Sequence, residues 1–134
     1  MLTRLKTLAS QHESFAFETT LASRSFAPWL ATLRVGGYAI HLVFLWLSSP
    51  ELALERVAER VALGGHDVRA EVVRRRYRTG LHNFFTLYRP LASTWRFYDA
   101  SGPVPRPIAR KLEPGPIRVY DRETWDLINR QNVS

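Results

Sequence analysis

The longest apolar run in the chain, Tyr38 to Leu47, lies between Gly36-Gly37 and Ser48-Ser49-Pro50. It is about half the roughly 20 residues a membrane helix requires and is rich in β-branched and aromatic side chains. An unbroken apolar segment of this length predicts a strand buried on both faces, as in a parallel sheet covered by helices. The clearest helical period follows it. Ser49-Pro50 is a cap followed by a first-turn proline, Leu54, Val57, Ala58, Val61 and Ala62 recur on one stripe, and Gly64-Gly65 stops them. A second helix is expected from Ala70 to Pro90, with Val73, Tyr77, Leu81, Phe84 and Tyr88 in line.

The flanking regions read less strongly. Residues 2–12 predict a short helix, and Phe15-Ala-Phe17 a brief strand that places Glu18-Thr19-Thr20 at its carboxyl end. Ser25 to Leu33 predicts a helix with Pro28 in its first turn. Trp95 to Tyr98 reads as a strand, Pro103, Pro105 and Pro107 as an extended loop, and Ile117 to Tyr120 as a last strand, with Asp121 capping a helix through Asn129. Strands alternating with helices predict a single α/β domain with a mainly parallel sheet. No internal repeat is visible.

Composition narrows the partners. The 134 residues include no Cys, which excludes a disulfide scaffold and thiolate metal sites and suits a reducing compartment. With no long apolar stretch at the N-terminus to serve as a secretory signal, a cytoplasmic location and no membrane association are expected. The net charge is +7, and all the cations but Lys6 and Lys111 are Arg. Guanidinium groups grip phosphate or carboxylate with a two-pronged fork, although a G+C-rich coding sequence would also favour arginine.

The excess charge is local. Arg69, Arg74, Arg75, Arg76 and Arg78 face only Glu71, and Arg56 and Arg60 lie four apart on the preceding helix. Three readings are open: a solvated, salt-bridged hairpin, a pair of helices whose arginines close on a polyphosphate, or a nucleic-acid-binding module, for which no base-reading motif is present. Glu18 either serves chemistry at a strand end, caps the next helix, or pairs with Arg24. Thr19 and Thr20 offer hydroxyls to a ligand or to local turns. His66, in the Gly-Gly turn, either donates to phosphate or ends the helix electrostatically. His41, inside the apolar run, reads as a core histidine, and His12 and His82 add no metal-ligand spacing. Asp99, before Ala100-Ser101-Gly102, lines a pocket or makes a turn. The one Lys-Thr pair, Lys6-Thr7, lacks preceding glycines, so these residues contain no phosphate-cradling P-loop.

Six segments in order carry a resemblance: residues 13–21 (ESFAFETTL), 45–57 (LWLSSPELALERV), 64–68 (GGHDV), 74–77 (RRRY), 83–88 (NFFTLY) and 97–102 (FYDASG). Together they resemble the middle and C-terminal part of the zeta-toxin-like family of P-loop kinases. That resemblance implies an incomplete P-loop NTPase-like, three-layer αβα domain without its first, loop-bearing strand. It implies descent from an ATP- or GTP-dependent kinase, with Mg²⁺, that phosphorylates a small-molecule hydroxyl; the best-characterised zeta toxins act on a UDP-amino sugar. In the family scheme the Gly-rich loop, its Lys and the general base lie in the absent part, so the chain alone is expected to be inactive. The alternative is a non-catalytic protein that holds a phosphorylated ligand.

By resemblance, Glu18 and Thr20 are substrate-side residues, Arg56 is a lid arginine on the transferred phosphate, and Arg60, His66, Arg75 and Arg76 lie nearby. Asp99 and Ser101 lead into the loop beside the nucleotide base. His66 stands where the family has a lid arginine. The lid hairpin spans about residues 51–91, and the partners implied are an antitoxin or an N-terminal complementing chain. The missing strand would lie between the segment ending at Glu18 and the strand 38–47. Its loss is expected to leave a gap of roughly 10 Å or to let those two neighbours pair directly.

Overall fold

The computed structural model describes Lys6 and residues 14–133, so the helix expected over 2–12, Lys6 apart, and His12 lie outside the described residues. Along the chain run α1 (Phe26–Val35), β1 (His41–Trp46), α2 (Pro50–Ala62), α3 (Ala70–Asn83), β2 (Thr94–Asp99), β3 (Arg106–Lys111), β4 (Ile117–Val119) and α4 (Arg122–Val133). The chain is thus α/β. Between α3 and β2 a π-helical turn, Phe84–Tyr88, and a 3₁₀ turn, Arg89–Leu91, replace the last part of the single helix expected up to Pro90.

The sheet order is β1-β2-β3-β4, and only β1 and β2 run parallel. The expectation of a mainly parallel sheet is corrected, and the reason is loop length. A parallel return needs a crossover of about a dozen residues or more, and the links from Asp99 to Arg106 and from Lys111 to Ile117 are too short for one. The element missed in the sequence is β3, hidden by Pro103, Pro105 and Pro107. Pro107 is tolerated because it sits where the register shifts opposite Phe97 and Tyr98, beyond the part of β3 that β4 covers. The same irregularity lets two successive residues, Ile108 and Ala109, both be buried.

One aromatic core holds the fold. Phe84, Phe85, Trp95, Phe97 and Trp125 are buried together, with Trp125 stacked on Trp95 at a centroid distance of 5.7 Å and Phe84 edge-on to Phe97 at 5.3 Å. Such ring pairs add about 0.5–1.5 kcal/mol each beyond the area they bury. Phe26, Ala27 and Leu30 of α1 and Ile128 of α4 pack on this same cluster. The opposite face of β1 is open, with Val43 55% and Leu45 57% exposed. The described elements therefore form two layers instead of the expected three, and β1 is buried on one face instead of both. Its alternation of exposed His41, Val43 and Leu45 with inward Leu42, Phe44 and Trp46 is that of a one-sided strand.

Residues 14–20 form no strand. Phe15 of this segment stacks on Trp29 and Phe17 packs against Phe26, and the segment does not pair with β1. A cleft remains between them.

Candidate functional site

The cleft has a volume of about 1260 Å³ and three walls. The first is the segment from Ser14 to Leu21. It is fixed where it meets α3: the buried Asn83 donates from Nδ2 to the Leu21 carbonyl at 2.7 Å, and Gly80 lies so close that an added Cβ would come within 2.3 Å of the Thr20 carbonyl oxygen. Leu21 itself holds a left-handed backbone, φ 59°, with its N–H bonded to Thr19 Oγ1. A leucine adopts this conformation only where its surroundings impose it. Here the buried side chain and the Asn83 bond do so. Thr19 thus serves a turn, while Thr20 and Glu18 are exposed on the cleft wall.

The second wall is β1, whose outer edge has no strand partner among the described residues. At its carboxyl end Trp46 is buried, yet its indole Nε1 has no hydrogen-bond acceptor among them. The Tyr77 hydroxyl is near enough for the indole to offset part of what burial does to it. Burial nevertheless pushes the Tyr77 phenol up.

The third wall is the α2–α3 hairpin. Ser49 caps α2 by accepting from the Leu52 N–H at 3.2 Å, and α2 ends before Gly64, φ 95°. The hairpin is docked by two contacts: Arg74 pairs with Glu51 at 2.8 Å, and Tyr77 Oη donates to the Leu47 carbonyl at 2.6 Å. From it Arg56, Arg60 and Arg76 line the cleft. Arg56 is half-buried and donates from Nη2 to the carbonyls of Ala100 and Ser101 at 3.0 and 3.2 Å. The Ala100 N–H in turn bonds the Trp46 carbonyl. These contacts place Arg56 at the carboxyl end of β1.

Five of the residues singled out in the sequence therefore share one cleft: Glu18, Thr20, Arg56, Arg60 and Arg76. The others do not line it. His66 is exposed in the α2–α3 turn, and Arg75 is exposed on α3. Asp99 accepts from the Ser101 N–H and pairs with Arg106 at 3.2 Å, while Ser101 Oγ accepts from the Ser48 N–H at 2.9 Å. Asp99 and Ser101 thus brace the loop that holds Arg56. His41, expected in the core, is exposed and shares a 2.7 Å hydrogen bond between Nδ1 and Thr94 Oγ1. Glu18 and Arg24 are both exposed and form no ion pair. Sequence reasoning missed Tyr77, which it read only as part of an apolar stripe, and the orphaned indole of Trp46, which no sequence pattern signals.

The donor set suits phosphate better than metal. Three guanidiniums are hydrogen-bond donors for an oxyanion, whereas no group of three or more His, Cys, Asp or Glu among the described residues could hold a metal ion. Glu18 is the carboxylate among the cleft's lining residues.

No family model matches the chain, and no solved structure does. The chain is similar to an uncharacterized protein of Haemophilus influenzae, 33% identical over 67 residues, a match covering 50% of this chain and 48% of that protein. The chain thus aligns with about half the length of this relative. No helix among the described residues is long and apolar enough to cross a membrane.

Proposed function

We propose that this protein binds a phosphorylated small molecule in the cleft, with Arg56, Arg60 and Arg76 on the phosphate and Glu18 and Thr20 toward the rest of the ligand. The observation that carries this reading is the convergence of those five side chains, distant in sequence, on a single cavity. The resemblance to the zeta-toxin-like kinases supports the same division of labour, substrate residues on one wall and arginines on a lid. On that reading the chain supplies the substrate and lid side of a phosphotransferase. Phosphoryl transfer depends on a loop, a metal and a base to position the phosphate and neutralise its developing charge. These residues offer charge to hold a phosphate and no group placed to transfer one, so binding without turnover is the expected activity.

Isothermal titration with inorganic pyrophosphate tests the reading. The double variant Arg60→Gln, Arg76→Gln should lose about tenfold or more in affinity, the scale of one charge-assisted hydrogen bond. The double variant Arg75→Gln, Arg78→Gln, which removes an equal charge from exposed positions of α3 outside the cleft, should change it far less. Equal losses in the two would show diffuse attraction to an arginine-rich surface and sink the proposal.

A further inference from the structure

Three arginines far apart in sequence meet on the side of the sheet away from the aromatic core. Residues opposite one another in register share a face, and successive residues along a strand alternate between faces. Arg96 of β2 stands opposite Arg110 of β3, which in turn stands opposite Arg118 of β4. Their strand neighbours Trp95, Phe97 and Ala109 are buried in the core, so the three arginines leave by the other face. Arg118 is exposed, and Arg96 and Arg110 are half-buried. Tyr120, just past β4 and 45% exposed, belongs to the same group: the guanidinium carbons of Arg110 and Arg118 lie 5.8 and 5.1 Å from its ring centroid. Like charges directly opposite one another weaken a sheet, and none of the three arginines forms an ion pair among the described residues. Asp99, the one acid in the four strands, stands in register with the buried Trp46 and is held by Arg106. The row is therefore a strip of positive charge that the sheet itself does not balance.

We propose that this face of β2, β3 and β4 binds single-stranded nucleic acid, with backbone phosphates on Arg96, Arg110 and Arg118 and a base stacked on Tyr120. Charge and shape select the occupant. Neighbouring strands lie about 4.8 Å apart, so the row spans roughly 10 Å, a track for a chain of phosphates and longer than one small anion needs. An aromatic ring set beside guanidiniums is the combination that holds unstacked bases on a sheet surface. Tyr98, two positions along β2 from Arg96, offers a second ring on that face. A duplex keeps its base faces inside the stack, where Tyr120 cannot engage them, and an acidic peptide brings the charge without the rings. A second copy of this chain, at +7, would be repelled. None of the three arginines lines the cleft, so the site is separate from the phosphate reading and does not rest on it.

The test uses the full chain and a fluorescein-labelled oligouridylate about eight nucleotides long, within the range of single-strand sites. Fluorescence anisotropy should show saturable binding, with log affinity falling against log salt at a slope of about −2, the value for three phosphate contacts on a single strand. The double variant Arg96→Gln, Arg118→Gln should bind about tenfold or more weaker and cut the slope to about −0.7. Arg75→Gln, Arg78→Gln, which removes the same charge from α3, should leave the slope as it was. Tyr120→Leu should weaken binding about fivefold or more without moving the slope. Photo-crosslinking by a thiouridine-substituted copy of the oligonucleotide needs no variant and should mark Tyr98 or Tyr120. Crosslinks confined to the α2–α3 hairpin, or equal losses in the two double variants, overturn this face as the site. Competition by polyglutamate as strong as that by unlabelled oligouridylate overturns nucleic acid in favour of an acidic protein. Pyrophosphate titration, run alongside, reports the cleft separately: normal pyrophosphate binding without oligonucleotide binding defeats this proposal alone.

Discussion

Asn83 is the buried polar side chain on which the first wall of the cleft depends. At 2% exposure its amide would be costly to bury unpaired, and the Leu21 carbonyl satisfies it. Together with Gly80 it sets how closely the Thr20–Leu21 backbone approaches α3. Gly80→Ala must displace one or the other, because its Cβ would fall 2.3 Å from the Thr20 oxygen. The expected outcome is a loss of about 1–3 kcal/mol in stability, read by urea denaturation, together with weaker pyrophosphate binding as Glu18 and Thr20 move. Alanine normally stabilises a helix interior relative to glycine by roughly 0.5–1 kcal/mol, so a stabilised variant would show that the close approach has no consequence. The requirement for glycine at this position was not legible in the sequence. Gly80 sits inside the helix expected from Ala70 to Pro90, and its neighbour Thr20 is sixty positions away.

At the scale of elements, the joints between strands and helices are polar and specific. Arg106 on β3 pairs with Asp99 at the end of β2 and with Asp121 at the start of α4, and Asp121 also accepts from the Thr124 N–H at 3.0 Å as the helix cap. The Arg106 guanidinium, with the two Thr124 bonds, holds the Asp121 carboxyl down at about 2 against a usual value of 3.8. A carboxylate whose pKa is lower in the folded state stabilises the fold above the unfolded value and loses that contribution as pH falls through the folded one. Thermal melting should therefore drop between about pH 4 and 2. Asp121→Asn, which keeps the cap but not the charge, should melt lower at neutral pH and show a smaller drop across that window. An unchanged pH profile in the variant would mean that other carboxylates govern acid unfolding.

The cap at Asp121 was readable because it is local, as was the Ser49-Pro50 start of α2. The strand β3 was not. Prolines at 103, 105 and 107 predict a loop from local preference, and a register shift against β2 decides otherwise. The α2–α3 hairpin was legible as two helices with a surplus of arginine, but which arginines enter the cleft was not. Arg75 and Arg76 are adjacent in sequence, and helical rotation sends one outward and the other to the cleft wall. Only the docking of the hairpin, through Tyr77 on Leu47 and Arg74 on Glu51, determines which is which.

At the scale of the whole molecule, the aromatic core is one-sided and the most apolar strand stands at the sheet's edge. Such an arrangement leaves stability to be gained from whatever binds the native state, by mass action. Heating should give a low melting temperature that rises with saturating pyrophosphate, followed by circular dichroism. A cooperative, high-melting transition that pyrophosphate does not move would mean that the exposed edge costs the fold nothing.

What the sequence by itself determined is whatever local pattern controls. That includes the α/β class, the helices at α1 to α3, the caps at Ser49 and Asp121, the apolar strand, and the concentration of positive charge on one hairpin. The tertiary structure alone decided the direction of the sheet, through links too short for crossovers, and the neighbours of β1. An apolar run of ten residues fits a strand covered on both faces, and hydrophobicity records what a segment can bury, not what is present to bury it. The described residues supply cover for one face of β1 and a partner for one edge. The other edge has no strand partner among the described residues, because side-chain preference is encoded residue by residue while burial requires a second surface brought from elsewhere.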